Sequence, residues 1–401
     1  MTPDLSHRLA ERVLEEILDH HASADGALRQ LFSQRNSGST ERARVGDLVF
    51  HALRHLRRLE ADAESAGGND RVIRLVAAAA SDLDTPAASP LFSPAPVRCS
   101  LPDWLWETFV AQWGEEQALA LGMALNQPAS TDLRVNRARI DRDTLSQRLL
   151  AAGIHTTPLE ETPDALRLTG HPPVTTLEPF HDGLFEIQDK GSQWIAPLLG
   201  PRPGETVVDL CAGGGGKTLH LAALMRNQGR ILATDTDARR LNRLTQRARR
   251  TRTSLVRVQT LRHERDPWFK PHVGKVDAVL VDAPCSGTGT LRRHPEIKWH
   301  LDPAQIAALA DRQSALLNAA ATLLRPGGRL VYATCSLLRQ ENQAVVERFV
   351  NENQNFRHLS AMPPLAAQGY AGLYFQERDL VILPHVAGCD GFFAALLQRN
   401  R

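Results

Sequence analysis

The spacing of apolar residues changes along the chain, and each change predicts a different kind of element. Over residues 1–85 the spacing is helical. Leu9, Val13, Ile17 and Leu18 fall on one face, and Val45, Leu48, Val49, Ala52, Leu53 and Leu56 repeat that spacing more strongly. Gly26 and the segment 36–40 separate these helices. Pro86, Pro90, Pro94 and Pro96 interrupt any periodicity, which predicts a linker over residues 86–100. Residues 101–185 read as a small α+β unit, with a helical stretch over 101–125, a strand at 132–136, a helix at 142–152 and a strand at 165–168. From residue 186 to 401 short β-branched runs alternate with helical segments. Strands are expected at 206–210, 230–234, 255–258, 277–281 and 329–333, with a hairpin-like end at 380–383 and 392–397. Such alternation predicts a Rossmann-like, doubly wound α/β sheet with helices on both faces.

Two of these strands end in unusual chemistry. Val276–Val281 suits a strand buried on both faces, and it stops at Asp282, Pro284, Cys285, Gly287 and Gly289. The run Leu330–Thr334 ends in Cys335 and Ser336, a near copy of Cys285 and Ser286. A lone buried cysteine is ordinarily an inert small hydrophobe. Two thiols at the carboxyl ends of two strands lie where open α/β sheets bind ligands, and could converge on one substrate.

Composition narrows the picture. A chain of 401 residues has room for two or three domains, and 42% apolar with 23% charged residues describes a globular protein. The net charge of +2 confines any nucleic-acid surface to local patches. No apolar run reaches membrane length, and the charged, amphipathic start MTPDLSHRLAERVLEEI does not read as a secretory signal, so no membrane partner is expected. The five cysteines, Cys99, Cys211, Cys285, Cys335 and Cys389, are widely spaced and form no Cys-x-x-Cys. That argues against a disulfide framework and a structural zinc site, so no metal is expected and the location is read as cytoplasmic. Cys99 and Cys389 read as structural. Three basic clusters admit two readings each, a solvated surface or a contact with RNA. They are Arg42, Arg44, Arg54, Arg57 and Arg58; then Arg134, Asn136, Arg137 and Arg139; then the arginines at 239, 240, 243, 247, 249, 250 and 252, which span a helix and cannot share one face.

Residues 206–218 (TVVDLCAGGGGKT) form a strand, a glycine-rich turn and the start of a helix. A phosphate-binding P-loop would need glycine where Cys211 stands. A dinucleotide fingerprint fits Gly213 and Gly215 but meets Thr218 at its third glycine. A nucleoside cofactor without a pyrophosphate is left, and S-adenosylmethionine fits. The backbone of Cys211, Ala212, Gly213, Gly214, Gly215 and Gly216 would approach it closely. Lys217 would face its carboxylate or simply solvate the turn, and Asp235, ending the next strand, would take the ribose hydroxyls.

This loop, DAPCSGTG over 282–289, RRHPEIKW over 292–299 and ATCS over 333–336 together resemble the Sun-type RNA (cytosine-5) methyltransferases. Within that family the chain is most similar to the RsmB-like enzymes of bacterial 16S ribosomal RNA. Residues 185–192 (FEIQDKGS) and 390–393 (DGFF) resemble the opening segment and the closing strand of the family's catalytic domain. The resemblance implies an S-adenosylmethionine-dependent catalytic domain over 186–401, a small RNA-binding unit over 101–185 and a NusB-like all-α RNA-binding domain over 1–85. The chain departs from the family at Gly213-Gly214, where Ala-Pro is usual, and over 261–266 (LRHERD), where Gly-Asp is frequent. Glu264 is the candidate there for the adenine edge.

Cytosine C5 is a poor nucleophile. A thiolate added at C6 breaks the ring's aromaticity and makes C5 able to attack a sulfonium methyl, which is covalent catalysis. By resemblance Cys335 attacks C6 and Cys285 helps release the product. In DNA cytosine methyltransferases the nucleophile follows the proline of the earlier motif, which would exchange the two roles. Asp282 is expected to read the cytosine amino edge or else to order its loop. Arg292, Arg293 and Lys298, with Arg134 and Asn136, are expected to hold RNA. The target base must leave its stack to reach a sheet edge. The resemblance thus implies a monomeric enzyme whose partner is RNA, ribosomal in the first instance. Transfer RNA is the alternative substrate, and a non-catalytic RNA-binding assembly factor the alternative role.

Overall fold

The helical spacing of the first 85 residues is realised because one apolar stripe per helix must find cover. In the computed structural model, which describes residues 4–63, 70–85, 93–264, 266–372 and 374–401, that cover comes from four helices. They are α1 (Leu5–His20), α2 (Ala24–Ser33), α3 (Ser39–Ala63) and α4 (Arg71–Asp84). Leu9, Val13, Ile17, Val45, Leu48, Val49, Leu53 and Leu56 meet in one core. Gly26 does not break a helix. It lies in the first turn of α2, where Ser23 Oγ accepts from its N–H. Residues 86–92 of the expected linker lie outside the described residues. Among the described residues no helix is long and apolar enough to cross a membrane.

The chain forms two units, Met1–Pro128 with Gly287–Pro303, and Ala129–Ser286 with Ala304–Arg401. Helices α5 (Asp103–Trp113) and α6 (Glu115–Leu125), separated at Gly114 with its φ of 78°, cluster with α1–α4. The sequence places them with the small α+β unit over 101–185, and in the fold they pack with the helical core as well. More unexpected is the segment 287–303. Trp299 packs against the helical core and its indole N–H donates to Leu53 O at 2.8 Å. Glu296 accepts from Ala24 N at 3.2 Å, and Lys298 Nζ donates to Arg54 O and Asn126 Oδ1 at 2.8 and 2.9 Å. The motif RRHPEIKW is therefore built into the helical unit. Nor do the five arginines of the first basic cluster form an open basic face. Arg42 donates to Ser37 O, Arg44 pairs with Asp84, Arg54 donates to Arg292 O, Arg57 pairs with Asp103 and Arg58 with Asp82.

Burial pushes the Lys298 ammonium down to about 7. In the unfolded chain the same group titrates near 10.4. Between those values the unfolded state holds a proton that the folded state lacks. The stability this group contributes is therefore present above the unfolded value and lost as the pH falls toward 7. Lys298→Met removes that dependence. Its stability relative to the native chain is expected to rise by a few kcal/mol, in order of magnitude, as the pH is lowered from about 10.4 to about 7. Urea unfolding of both proteins across that range measures it.

The second unit holds two sheets. The small one is antiparallel, in the order β2-β3-β1-β4, from β1 (Asp132–Val135), β2 (Thr156–Pro158), β3 (Ala165–Leu168) and β4 (Phe185–Ile187). Helix α7 (Arg142–Ala151), capped by Asp141, seals it through Leu145 and Leu149. Since β4 pairs with β1, the boundary expected at residue 185 falls inside a strand.

The large sheet runs β11-β12-β13-β9-β8-β5-β6-β7, with β10 (Phe356–Leu359) on β13. Its parallel part is β5 (Thr206–Asp209), β6 (Arg230–Asp235), β7 (Val256–Thr260), β8 (Val276–Asp282) and β9 (Leu324–Thr334). These are the strands that the β-branched runs predicted. Ala278–Val281 of β8 are wholly buried, as a strand covered on both faces requires. The remaining strands, β10, β11 (Phe375–Gln376), β12 (Asp379–Ile382) and β13 (Phe392–Arg399), are antiparallel. The sheet is therefore mixed, which the hairpin-like end foreshadowed. The chain builds outward from β5 to β6 and β7, then returns to β8 on the other side of β5. The switch point lies between β5 and β8, where ligands bind in sheets of this kind.

Candidate active site

The carboxyl ends of β8 and β9 lie side by side, with Asp282 opposite Ala333. Each strand is followed within three residues by its cysteine. This register brings Cys285 Sγ to 3.3 Å from Cys335 Sγ, both free thiols and both half-buried. Beneath them lies a buried polar cluster of Ser286, Ser336, Gln313 and Glu341. Asp282 Oδ2 accepts from Lys217 Nζ at 2.7 Å, and the ammonium lies 5.2 Å from the centre of the Phe392 ring. Burial pulls the Lys217 ammonium down. The negative charge of Asp282 and the hydrogen bond to it outweigh that, so the group sits above its ordinary value. Lys217, expected to face a cofactor carboxylate or solvent, is thus held by Asp282.

The glycine turn between β5 and α8 (Gly216–Leu224) is shaped by close approach as much as by freedom. Gly215 has φ of 86°, and a Cβ there would stand 2.2 Å from Leu244 Cδ1. Two guanidiniums fasten the turn. Arg247 donates to Gly214 O and Arg134 to Gly216 O, each at 2.6 Å. Glu186 in turn receives Arg247 at 2.7 Å and also Arg250. Asp235 anchors the other side, with Oδ2 accepting from Gly213 N and Oδ1 from Asp237 N, both at 2.8 Å. Burial pushes the Cys211 thiol up, so its contribution here is backbone. Asp209, at the end of β5, was not among the expected site residues. It is fully buried, accepts from Thr218 Oγ1 at 2.6 Å, and burial raises its carboxyl to about 7. Its Oδ1 has no partner.

Glu264 lines a cavity of about 560 Å³ with Thr236, Arg262, His263, Asp311, Arg312 and Ala315, next in the chain to Asp235. A turn without side chains, an acid at the end of the second strand and a cavity beside it fit a nucleoside carrying an amino-acid tail. Among the described residues no cluster of three or more His, Cys, Asp and Glu side chains could hold a metal ion.

The expected RNA contacts fare differently. Arg134 and Asn136 are buried. Besides Gly216 O, Arg134 donates to Gln188, while Asn136 Nδ2 donates to Gly183 O at 3.0 Å. All four residues of β1 are buried, so its polar side chains turn inward; the Nη1 of Arg134 is bonded there, whereas its Nε has no partner. Lys298 is likewise buried. None of these three presents a donor to a phosphate. Arg292 is half-buried and donates to Gln127 O and Pro128 O, and Arg293 is half-buried in the same segment. Arg139 donates to Asp182 O and Arg137 pairs with Asp164 at 3.5 Å. In α9 (Ala238–Arg250) Leu241, Leu244 and Ala248 face the core, whereas Arg239, Arg240, Arg243 and Arg249 are exposed. Arg247 and Arg250 are the two that turn back to hold the cofactor turn.

Known proteins share this architecture. Residues 196–398 match the 16S rRNA methyltransferase RsmB/F family, and residues 101–175 match a ferredoxin-like domain described as RsmF/B-like. The chain is 40% identical over 304 residues to a Synechocystis protein named "Probable ribosomal RNA small subunit methyltransferase B", covering 75% of this chain and 67% of that one. It is 35% identical over 301 residues to "Ribosomal RNA small subunit methyltransferase B" of Pasteurella multocida, covering 74% and 65%. The match therefore spans about two thirds of the length of these relatives. A methyltransferase homolog from Pyrococcus horikoshii of known crystal structure is 29% identical with a TM-score of 0.66, covering 77% of this chain and 100% of that one. A methyltransferase sheet with a ferredoxin-like companion is the class that these features define. Within it, the chain belongs to the 16S rRNA methyltransferase RsmB/F family.

Proposed function

We propose that this protein transfers a methyl group from S-adenosylmethionine to C5 of a cytosine in small-subunit ribosomal RNA. The observation that carries the reading is the pair of thiols 3.3 Å apart at the ends of β8 and β9. Binding alone requires no thiol, and a pair of them beside the switch point suits a reaction with an addition and an elimination step. Cys335 adds to C6 of the unstacked base, and the electron pair of the C5–C6 bond moves toward C5. The activated C5 would take the methyl group as the sulfonium–methyl bond breaks, leaving its electron pair on sulfur in the departing thioether S-adenosylhomocysteine. Loss of the C5 proton and breakage of the S–C6 bond then restore the aromatic ring, with Cys285 assisting the release. Asp282, held by Lys217, accepts from the cytosine amino group and so selects cytosine over uracil.

S-adenosylmethionine supplies an electrophilic methyl when bound. The backbone of residues 211–216 and Asp235 would hold it, with Glu264 at the adenine edge. The helical first unit is taken as a NusB-like RNA-binding part, and the protein as a monomer. Of the RNA contacts first expected, Arg292 and Arg293 are retained in the proposal. The test is transfer of labelled methyl to RNA from cells lacking this protein, followed by bisulfite sequencing. One new 5-methylcytosine in the small-subunit RNA is the expected result. A mark confined to transfer RNA would overturn the substrate, and a mark on another base would overturn the chemistry.

A further inference from the structure

We infer that Glu341 is the positioning residue that sets the distance between Cys285 and Cys335, an inference that rests on the two-thiol reading of the site. Glu341 is fully buried. Its Oε1 accepts from Ser286 N and from Gln313 Nε2, each at 2.9 Å. Its Oε2 accepts from Ser286 Oγ and Ser336 Oγ, each at 2.5 Å. One carboxylate therefore receives the residue that follows each cysteine, and the two serine oxygens meet over it at 3.1 Å. Gln313 extends the hold to the residue preceding Cys285, since the same amide donates to Pro284 O at 2.9 Å.

Glu341 is itself fixed to the other strand. Its backbone carbonyl accepts from Tyr332 Oη at 2.5 Å, and the next side chain, Asn342, donates to Ser336 O at 2.9 Å and accepts from Thr334 Oγ1 at 2.5 Å. The end of β9 thus carries Glu341, and Glu341 carries the turn after β8. The repeated Cys-Ser dipeptide acquires a reason: each serine is the handle by which one carboxylate places the adjacent thiol. A carboxylate suits the position because both its oxygens only accept. A glutamine amide aimed at the two serines would turn two accepted bonds into donated ones. Both hydroxyls would have to rotate, with the thiol-bearing turns free to separate.

The test compares the native protein with Glu341→Gln by two readouts. Phenylarsine oxide forms a cyclic dithioarsenite with two neighbouring thiols, two As–S bonds replacing the As=O bond with release of water. Its affinity therefore reports their spacing without any turnover, and a Cys285→Ala control removes the signal. Glu341→Gln is expected to weaken arsenical binding about tenfold, as the effective concentration of one thiol at the other falls. It is also expected to lower kcat about 100-fold while KM for RNA and cofactor affinity stay within about twofold. Native arsenical affinity and native kcat in this variant would overturn the inference. Should Glu341→Gln fail to fold, Ser286→Ala combined with Ser336→Ala carries the same test, with the same split between kcat and KM expected and the same outcome overturning it. If the native protein transfers no methyl group yet Glu341→Gln still loses the arsenical, the positioning role stands and the proposed reaction falls.

Discussion

Cys335→Ala is expected to abolish methyl transfer, a loss of about 10⁵-fold or more, while binding the cofactor as tightly as the native chain. The size follows from the chemistry. Without a bond to C6 there is no enamine-like C5. The selectivity follows from the architecture. Cys335 ends β9, whereas the cofactor turn follows β5 and is fastened by Arg134, Arg247 and Asp235, none of which touches Cys335. Lys217 keeps its 2.7 Å bond to Asp282. Labelled methyl transfer and calorimetric titration of the cofactor measure the two halves. Activity at the native level would remove Cys335 from the mechanism, and loss of cofactor binding would recast it as a residue that shapes the cofactor site.

The features legible in the sequence are those that local pattern controls. A period of 3.6 residues marks α1 and α3, and β-branched runs mark β5 to β9, because burial of one face or two leaves a repeat that needs no knowledge of the partner. The glycine turn and the two Cys-Ser ends were legible for the same reason. What escaped notice depends on contacts between residues far apart in the chain. Arg134 looked like a surface cation. Its guanidinium donates to the carbonyl of Gly216, 82 residues away, and no local signal reports that. Trp299 and Lys298 looked like an extension of the catalytic loop, but the carbonyls that receive them are those of Leu53 and Arg54, 246 and 244 residues away. Glu341 lies 55 residues from Ser286. The signal that could have found it was present all the same. Two serines in matching places, each beside a reactive thiol, ask for a common acceptor, and an acid soon after the second is the natural candidate.

Cys285→Ala is expected to stop turnover at a later point and to accumulate a covalent protein–RNA adduct that survives denaturing electrophoresis. The two thiols are 3.3 Å apart, so whatever is bonded to Cys335 Sγ lies within reach of Cys285 Sγ. A thiol in that place can exchange a proton with the adduct as the C5 proton leaves and the S–C6 bond breaks. Removing it leaves addition and methyl transfer possible and slows only the release, so the species before release builds up. Truncation to alanine keeps the backbone of residues 284–286, and with it the bond that Ser286 N donates to Glu341 and the bond that Pro284 O accepts from Gln313, while Ser336 still holds the turn of Cys335 through Glu341 and Asn342. The trapped complex should contain one methyl group per RNA. The same gel distinguishes the alternatives. An adduct in Cys335→Ala and none in Cys285→Ala would exchange the two roles, as the parallel with DNA cytosine methyltransferases suggests. No adduct in either variant, with methyl transfer by the native protein confirmed, would exclude a long-lived bond to C6 and leave the thiol pair to act by proton transfer alone.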